Sequence, residues 1–417
     1  MSTSQSNQWD VIVIGAGMGG LVTATQLAAK GARVLVLERY LIPGGSAGYF
    51  ERAGYRFDVG ASMIFGFGNQ GSTNLLTRAL AAVGMELETL PDPVQVHYHL
   101  PQGLDIRVHR DYERFLGELC DRFPHERAGI RLFYDECWRV FRCLNAMPLL
   151  SLEEPRYVAN VFLKHPLACL GLAKRLPINV GAVAQRYLRD PELLRFIDME
   201  CYCWSVVPAE RTPLINAGMV FSDRHYGGVN YPKGGVGQIA QRLVAGLEQA
   251  GGEIWYRSRV TEILTEQGRA VGVRLASGEE CFARRIVSNA TRWDTFDSLV
   301  KRDPPASEQR WQQRYRQSPS FVSLHLGVKA EAIPETADCH HILLEDWAEM
   351  ETSGGTVFVS IPTLLDPDLA PPGHHIIHAF TPSWMADWQG LTAHAYHDQK
   401  QAAALALVGR LERLWPG

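Results

Sequence analysis

The sequence predicts an α/β protein, and its 417 residues are enough for two domains or one elaborated domain. Three observations support this prediction. A strand–helix–strand pattern fills the first 40 residues, a helix-rich section covers residues 85–225, and a series of short strands extends from Glu253 to Ala290. Strands followed by helices at the start of a chain are typical of a parallel sheet covered by helices.

Composition excludes several classes of protein. The net charge of −4 makes nucleic acid an unfavourable partner. The polar start of the chain has no apolar core of a secretory signal, and no stretch of about 18 uncharged apolar residues could span a membrane. The eight cysteines follow neither a redox nor a zinc-finger spacing, so we expect buried thiols. These features favour an intracellular protein that is soluble or lies on a membrane.

The first motif is a glycine-rich turn between a strand and a helix. The apolar run Val11–Ile14 predicts a buried strand, and glycines at 15, 17 and 20 follow it in the pattern G-x-G-x-x-G. Such glycines allow a tight turn, a close approach of backbone to a pyrophosphate, and close packing of helix on strand. The N–H groups at the start of the helix favour phosphate. The candidate residues are Gly15, Ala16, Gly17, Gly19 and Gly20.

A second strand ends in an acidic residue. Glu38 lies 23 residues after Gly15, where a carboxylate accepts hydrogen bonds from a ribose and repels the 2′-phosphate of NADP. We assign Glu38 and the adjacent Arg39 to a dinucleotide site. This unit alone does not distinguish NAD from FAD.

The next segment resembles a known family. Pro43-Gly44-Gly45-Ser46 follows the acid, and Tyr55-Arg56-Phe57-Asp58-Val59-Gly60 comes shortly afterwards. This order resembles the glutathione-reductase-type FAD proteins, in the branch of amine oxidases and carotene desaturases. The resemblance implies an FAD-binding Rossmann domain in which the backbone at Gly44, Gly45 and Ser46 passes the pyrophosphate. It also places Gly60, Ala61 and Ser62 near the isoalloxazine ring. The alternative is an ordinary loop with Asp58 as a turn residue.

A predicted β-meander begins at Val260 and continues through the turns at Gln267-Gly268 and Ser277-Gly278. In the FAD family such a meander is inserted in the nucleotide-binding domain, and the residue matching Val260 contacts the adenine through its backbone. The resemblance therefore implies a split FAD-binding domain, residues 1–85 and 226–295. An α+β substrate and membrane-associating domain, residues 86–225 and 296–417, is interleaved with it.

Two further patterns have competing interpretations. The segment from Leu149 to Ala182 is basic, leucine-rich and broken by prolines, which fits a membrane interface or a core helix with solvated lysines. The pairs His340-His341 and His374-His375 suggest a metal, but neighbours on a strand point to opposite faces and the sequence shows no clustered acid or cysteine at ligand spacing. We therefore assign no metal site.

A closer resemblance extends over nearly the whole chain. The segments that show it are Asn230–Gly237, Ser288–Phe296, Asp338–His341, Ser360–Pro367 and Gly373–His375. They are similar to the prolycopene isomerases, a carotenoid isomerase family among the carotenoid and retinoid FAD oxidoreductases. The resemblance implies conversion of poly-cis lycopene to the all-trans form with reduced FAD, and NAD(P)H as an indirect electron source. It also implies peripheral attachment to a membrane, on its cytoplasmic side or at a thylakoid or plastid membrane.

The part of the chain after Asn289 departs from that family in one respect. In the family a C-terminal segment completes the FAD site, and no segment here matches it, so we expect a C-terminally truncated fold. No pair of titratable groups stands out, and the catalytic residues stay unassigned. Two alternatives therefore remain beside the isomerase: a carotene desaturase or retinol-saturase-like oxidoreductase, and an inactive carotenoid-binding fragment.

Overall fold

The apolar runs of the sequence form the strands that they predict. The computed structural model describes residues 9–68, 75–147, 154–302, 305–315 and 317–416. The strands in these ranges are β1 Trp9–Ile14, β2 Val34–Leu37, β3 Tyr49–Arg52, β4 Tyr55–Asp58, β5 Thr89–Pro91, β6 Val94–Leu100, β7 Leu104–His109, β8 Asn230–Pro232, β9 Glu253–Trp255, β10 Val260–Glu266, β11 Arg269–Leu275, β12 Glu280–Ser288, β13 Ser320–Lys329, β14 His340–Leu343, β15 Val357–Ser360 and β16 His374–Ser383.

The helices fall mainly in the middle of the chain, as predicted. In the described ranges they are α1 Met18–Ala28, α2 Leu75–Ala82, α3 Tyr112–Arg122, α4 Arg127–Asn145, α5 Pro155–Lys164, α6 Pro166–Ala173, α7 Val180–Tyr187, α8 Pro191–Ser205, α9 Leu214–Tyr226, α10 Gly237–Gln249, α11 Ala306–Arg314 and α12 Ala393–Leu414. Both α5 and α6 begin with proline at the first turn, where its missing N–H costs no hydrogen bond.

The chain divides into two units that alternate along the sequence. Unit 1 consists of residues 1–62, 75–88 and 232–317, and unit 2 of residues 63–74, 89–231 and 318–417. The sequence-based division had placed residues 63–74 with the FAD-binding domain and residues 296–317 with the substrate domain. In the structure α11 groups with unit 1 instead. Its Glu308 is buried and pairs with Arg292, which follows β12 in the same unit.

Unit 1 contains a six-stranded sheet in the order β10-β11-β12-β1-β2-β9. The strands β12, β1, β2 and β9 are parallel, and β10, β11 and β12 form the antiparallel meander that the turns predict. Because β12 belongs to both parts, it brings the end of the meander beside β1. The helices α1, α2 and α10 pack against one another beside this sheet. The parallel arrangement places the carboxyl ends of β1, β2 and β12 at one edge.

Unit 2 is built on a second six-stranded sheet, with the order β13-β16-β15-β14-β6-β7. Its pairs are antiparallel apart from β14 and β6, which are parallel. The largest core lies between one face of this sheet and the helices α3, α4 and α7–α9. On the opposite face, Leu407 and Leu411 of α12 pack against β14–β16.

The cysteines carry thiols, as expected. Five of the eight are buried, while Cys143, Cys169 and Cys203 are half-buried, so burial was overstated for these three. The predicted interfacial segment from Leu149 to Ala182 lies partly outside the described residues. Its remainder forms α5, α6 and the start of α7.

Candidate functional site

The glycine-rich turn joins β1 to α1 in unit 1. A Cβ atom on Gly20 would lie 2.2 Å from the carbonyl oxygen of Gly15, so this position accepts no other residue without displacement of the backbone. No side chain caps the N-terminus of α1, and its first turn has no acidic residue. The N–H groups and the positive dipole end of the helix are thus available to an anion.

Glu38 lies at the carboxyl end of β2, beside this turn. Its Oε2 accepts a hydrogen bond of 2.7 Å from the Ala16 amide, and its Oε1 accepts one of 2.8 Å from the Tyr40 amide. The side chain is buried and therefore held in one position. Each carboxylate oxygen has a second lone pair, which can accept a hydroxyl group of a ribose.

The glycine pair of the second motif packs on the first. The Gly44 amide donates to the Ala16 carbonyl at 2.8 Å, and Gly17 and Gly44 form an isolated β-bridge. Gly44 has φ of +111°, a backbone conformation that favours glycine. The Ala61 amide donates to the Ser46 carbonyl at 3.2 Å. The structure therefore brings both predicted FAD segments to the same edge of the sheet.

Arg39 and Val260 lie at the margin of this group. Arg39 is exposed, and its guanidinium lies over the neighbouring Tyr40 ring at 4.6 Å. Val260 is buried in the core of unit 1, at the start of β10. The segment before it runs alongside Glu38, whose amide donates to the Trp255 carbonyl at 2.9 Å and whose carbonyl accepts from the Ser258 amide at 2.7 Å.

Asn289 was not assigned to the site from the sequence, and Asp58 was named there only as part of the motif or as a turn residue. Asn289 follows β12, and a Cβ atom on Gly17 or Gly19 would lie within 2.8 Å of its side-chain amide. Asp58 is buried, and its Oδ1 accepts a 2.8 Å hydrogen bond from the Val236 amide, which fixes the start of α10 next to β4. The signal for Asn289 was its place at the end of a parallel strand, where side chains from β1, β2 and β12 meet.

The chain matches the family of flavin-containing amine oxidoreductases over residues 18–399. It is 55% identical over 416 residues to the chloroplastic prolycopene isomerase of Daucus carota, a match that covers 99% of this chain and 68% of the relative. The chain belongs to the prolycopene isomerase family. A more distant relative, the all-trans-retinol 13,14-reductase of Danio rerio, is 28% identical over 389 residues, 86% of this chain and 62% of its own.

Solved structures agree with this family on the fold. An oxidoreductase from Methanosarcina mazei superposes with a TM-score of 0.64 at 19% identity, over 98% of this chain and 85% of its own. The α/β fold of an FAD-dependent oxidoreductase, predicted from the first 62 residues, is thereby confirmed. Assignment to the prolycopene isomerases, predicted from the segments between Asn230 and His375, is confirmed as well.

FAD, the cofactor that this flavin family implies, fits the residues of unit 1. The uncapped N-terminus of α1, beside positions that have no Cβ, suits a pyrophosphate. The fixed carboxylate of Glu38 suits a ribose, and the amide of Asn289 adds a polar group at the glycine turn. These groups could hold a dinucleotide through its phosphates and sugar.

The histidines of β14 have neighbours that sequence spacing did not show. His340 and His341 point to different sides of β14, as expected, and the absence of a metal site stays a prediction, because each lies beside further side chains that could hold an ion. His341 groups with His97 and His99, while His340 groups with Asp92 and Cys339. The ligand atoms within each group lie no more than 4.8 Å apart. The long sequence separation between β6 and β14 concealed both groups.

The group around His340 is fully buried. Asp92 Oδ2 and His340 Nε2 lie 3.6 Å apart, and within the described residues neither atom has a hydrogen-bond partner. Burial raises the pKa of Asp92 to about 7 and lowers the pKa of His340 to about 3. Both shifts favour the uncharged form, because a charge here would be desolvated.

Proposed function

We propose that the protein is an FAD-dependent cis–trans isomerase that converts prolycopene to all-trans-lycopene. The observation that carries the proposal is the 55% identity to a prolycopene isomerase over almost the whole chain. The site geometry supports it, because the predicted cofactor residues meet at one edge of the sheet in unit 1. On this proposal unit 1 binds FAD and unit 2 provides apolar surface for the carotenoid.

The proposed cofactor contacts follow the geometry. The proposed cofactor residues are Gly15, Ala16, Gly17, Gly19, Gly20, Glu38, Arg39, Gly44, Gly45, Ser46, Gly60, Ala61, Ser62, Val260 and Asn289. Glu38 would orient the ribose through the oxygens that the Ala16 and Tyr40 amides hold in place. The turn at Gly44 keeps the second segment against the first, so the two cannot separate without loss of the hydrogen bond to Ala16.

The chemistry of isomerisation explains the need for a flavin. A conjugated double bond rotates once its double-bond character is lost. Reduced FAD would supply electron density that passes to the polyene and returns to the flavin in the same turnover. The atoms of substrate and product are the same, so NAD(P)H would serve indirectly, to keep the flavin reduced. The chain's own task is to hold the polyene in place and exclude water.

An aromatic ladder on the sheet of unit 2 supports an apolar substrate. Its members come from β13, β15 and β16 and comprise Phe321, His325, Phe358, His378 and Phe380. The rings of Phe358 and Phe380 stack at 4.9 Å, and those of His325 and His378 at 4.4 Å. Phe321 lies 5.3 Å from Phe380 and is 43% exposed. Phe358 and His378 are buried within this ladder, so the exposed ring of Phe321 is the part that a polyene could contact.

We further propose that α5 and α6 attach the protein to a membrane surface. Leu163 and Leu167 are 78% and 83% exposed, and Phe162, Leu170 and Leu176 are exposed too. Lys164 and Lys174 are exposed beside them. Exposed leucines flanked by lysines suit the interface of an anionic bilayer. None of the helices in the described residues has the length and apolar character needed to cross a bilayer.

The attachment would be to a plastid or thylakoid membrane, or to the cytoplasmic side of another membrane. The relative from Daucus carota is named chloroplastic, which supports the first of these. Carotenoids are confined to lipid by their hydrocarbon skeleton. An enzyme on the bilayer surface would therefore meet its substrate at high local concentration.

The experiment is an anaerobic incubation of the FAD-loaded protein and lipid vesicles with tetra-cis-lycopene, after reduction of the flavin. We expect all-trans-lycopene of unchanged mass, resolved by chromatography and mass spectrometry. A parallel incubation with oxidised FAD provides the control and should give no product. A product that differs by two hydrogens would instead identify a desaturase or a saturase.

Failure to form product with a spectroscopically confirmed reduced flavin would contradict the isomerase. If the purified protein instead bound the carotenoid but no flavin, the carotenoid-binding alternative would replace the isomerase. Flavin absorbance of the purified protein separates these two outcomes.

A further inference from the structure

Three histidines of unit 2 lie together on the side of the sheet that α12 covers. His97 and His99 belong to β6, and His341 belongs to the parallel strand β14, directly opposite His97 in the register. We call this set the three-histidine cluster. Asp105 of β7 lies opposite His99, and Asp338 precedes β14. The isomerase proposed above makes no use of these groups.

The hydrogen bonds of His341 fix its tautomer. Its Nε2 lies 2.8 Å from the backbone carbonyl of Asp338, which can only accept, so Nε2 carries the hydrogen. Its Nδ1 then presents a bare lone pair to the cluster.

His99 presents a second nitrogen to the same point. Its Nδ1 lies 2.9 Å from Asp105 Oδ2, so this nitrogen carries a hydrogen and donates to the carboxylate. Its Nε2 lies 3.0 Å from Nδ1 of His341. In a neutral His99 two lone pairs would face each other across this gap. The two facing nitrogens are placed as two ligands of one metal ion would be.

His97 completes the cluster. Its Nε2 lies 2.7 Å from Asp105 Oδ1 and its Nδ1 lies 3.0 Å from Asp338 Oδ2, so both nitrogens carry hydrogens.

We propose that the three-histidine cluster binds one Zn²⁺ ion. The ligands are His99 Nε2, His341 Nδ1 and a ring nitrogen of His97, and Asp105 and Asp338 hold the rings as outer partners. Imidazole suits zinc, and metal-bound histidines commonly donate their other N–H to a carboxylate or a carbonyl. Both partner types are present here.

The distances suit this ion. Zinc with bonds of 2.0–2.1 Å places neighbouring tetrahedral nitrogens about 3.3 Å apart. His99 and His341 have their facing nitrogens at 3.0 Å, and the third nitrogen lies no more than 4.8 Å away. Closure requires His97 to move by at most about 1.5 Å on that zinc geometry. The His99 side chain is 24% exposed, which gives a solvent path and a place for water as fourth ligand.

A bound ion would cross-link β6 to β14. These strands are more than 240 residues apart in sequence and are the parallel pair of the sheet. The ion would thereby connect the segment of unit 2 that contains β6 to the segment that contains β14. Because it binds the folded sheet alone, it would raise the unfolding temperature as the free Zn²⁺ concentration rises above the dissociation constant.

The test uses the FAD-loaded protein after removal of metals by a chelator. Zn²⁺ is titrated by calorimetry, and bound metal is counted by elemental mass spectrometry after gel filtration. We expect one ion per chain and a higher unfolding temperature with Zn²⁺. Asp105→Asn should weaken the affinity 10–100-fold, the usual effect of removing an outer partner. His99→Ala should weaken it at least as much.

The matched control is His125→Ala. His125 forms an exposed pair with Asp190 at 2.8 Å and lies outside the cluster, so the control should bind Zn²⁺ like the unmodified chain. Flavin content and circular dichroism check that each variant is folded. Co²⁺ provides a second measurement. Tetrahedrally coordinated Co²⁺ absorbs strongly in the visible range, and this absorption should be absent in His99→Ala.

Two results would overturn the proposal. The first is unchanged Zn²⁺ affinity in folded His99→Ala, or no Zn²⁺ binding by the unmodified chain. The second is loss of the ion in Asp92→Asn with retention in His99→Ala, which would place the ion at His340 instead.

Discussion

At the scale of single residues, Glu38 links the backbone of unit 1 to the proposed ribose. We expect Glu38→Ala to weaken FAD binding by about 1–3 kcal/mol, the cost of unpaired hydroxyl and amide groups. That range corresponds to a roughly 5–150-fold higher dissociation constant. Fluorescence titration of the apoprotein with FAD measures it. Glu51→Ala, at an exposed carboxylate of the same unit, should leave the affinity unchanged.

Glu200 and Arg224 form a buried ion pair in unit 2. Their two hydrogen bonds measure 2.7 and 2.9 Å, both side chains are at most 1% exposed, and Tyr98 and Tyr134 donate to the same carboxylate. Glu200→Ala leaves Arg224 charged, buried and unpaired, so we expect a loss of about 3–5 kcal/mol in the free energy of unfolding.

Urea denaturation tests this loss. The comparison is Glu113→Ala, which removes the exposed pair with Arg131 and should cost about 0–1 kcal/mol. Equal losses of unfolding free energy in the two variants would mean that burial does not determine how much the Glu200–Arg224 pair contributes to stability.

At the scale of elements, α5 and α6 are the helices that we propose to attach the protein to a membrane surface. The double variant Leu163→Glu with Leu167→Glu should abolish co-sedimentation with anionic vesicles, because it places charge where apolar side chains would enter the interface. Both positions are exposed, so the fold should be retained. Leu405→Glu, on the exposed side of α12, is the matched control. Co-sedimentation of the double variant at the level of this control would reject the assignment.

Local sequence patterns predicted most of the helices and strands, but they did not predict which distant segments pair with each other. The strand at Val11–Ile14, the helix after Gly17 and the meander from Val260 all follow from apolar periodicity and turn residues. The partnership of β1 with β12 depends on contacts across more than 270 residues, and periodicity contains no information on it. Asn289 was therefore not assigned to the cofactor site, and His341 was not placed beside His97.

At the scale of the whole molecule, buried histidines set the response to acid. Burial lowers the pKa of four of them to about 3, namely His225, His340, His341 and His378. Below pH 6.5 the unfolded chain binds protons at these positions and the folded chain does not, so stability falls with falling pH. Burial raises the pKa of Asp92 to about 7, of Asp223 to about 6 and that of Asp198 as well. At His97 burial is outweighed by hydrogen bonds to Asp105 and Asp338, which raise its pKa, so these four groups act in the opposite direction.

Burial also lowers the pKa of His375, so five histidines oppose these four groups. Because four of the five histidines are shifted to about 3, we expect the free energy of unfolding of the metal-free protein to decrease from pH 6.5 to pH 5. His378→Phe removes one such group, and its slope should be shallower by about 1.4 kcal/mol per pH unit. Both ring nitrogens of His378 lack a hydrogen-bond partner among the described residues, so phenylalanine loses no such bond. Urea denaturation at several pH values measures both slopes, and a rise in stability toward pH 5 would contradict the argument.

The place of β12 beside β1 has a consequence during synthesis on the ribosome. After β1 leaves the exit tunnel, roughly 270 residues must follow before its partner is complete, which takes about 14–55 s at ordinary translation speeds. During that interval the backbone N–H and C=O groups along one edge of β1 are unpaired and can pair with a strand of another chain. The nascent polypeptide should therefore depend on chaperones that shield strand edges, and its yield should fall when translation slows between Gly44 and Glu280.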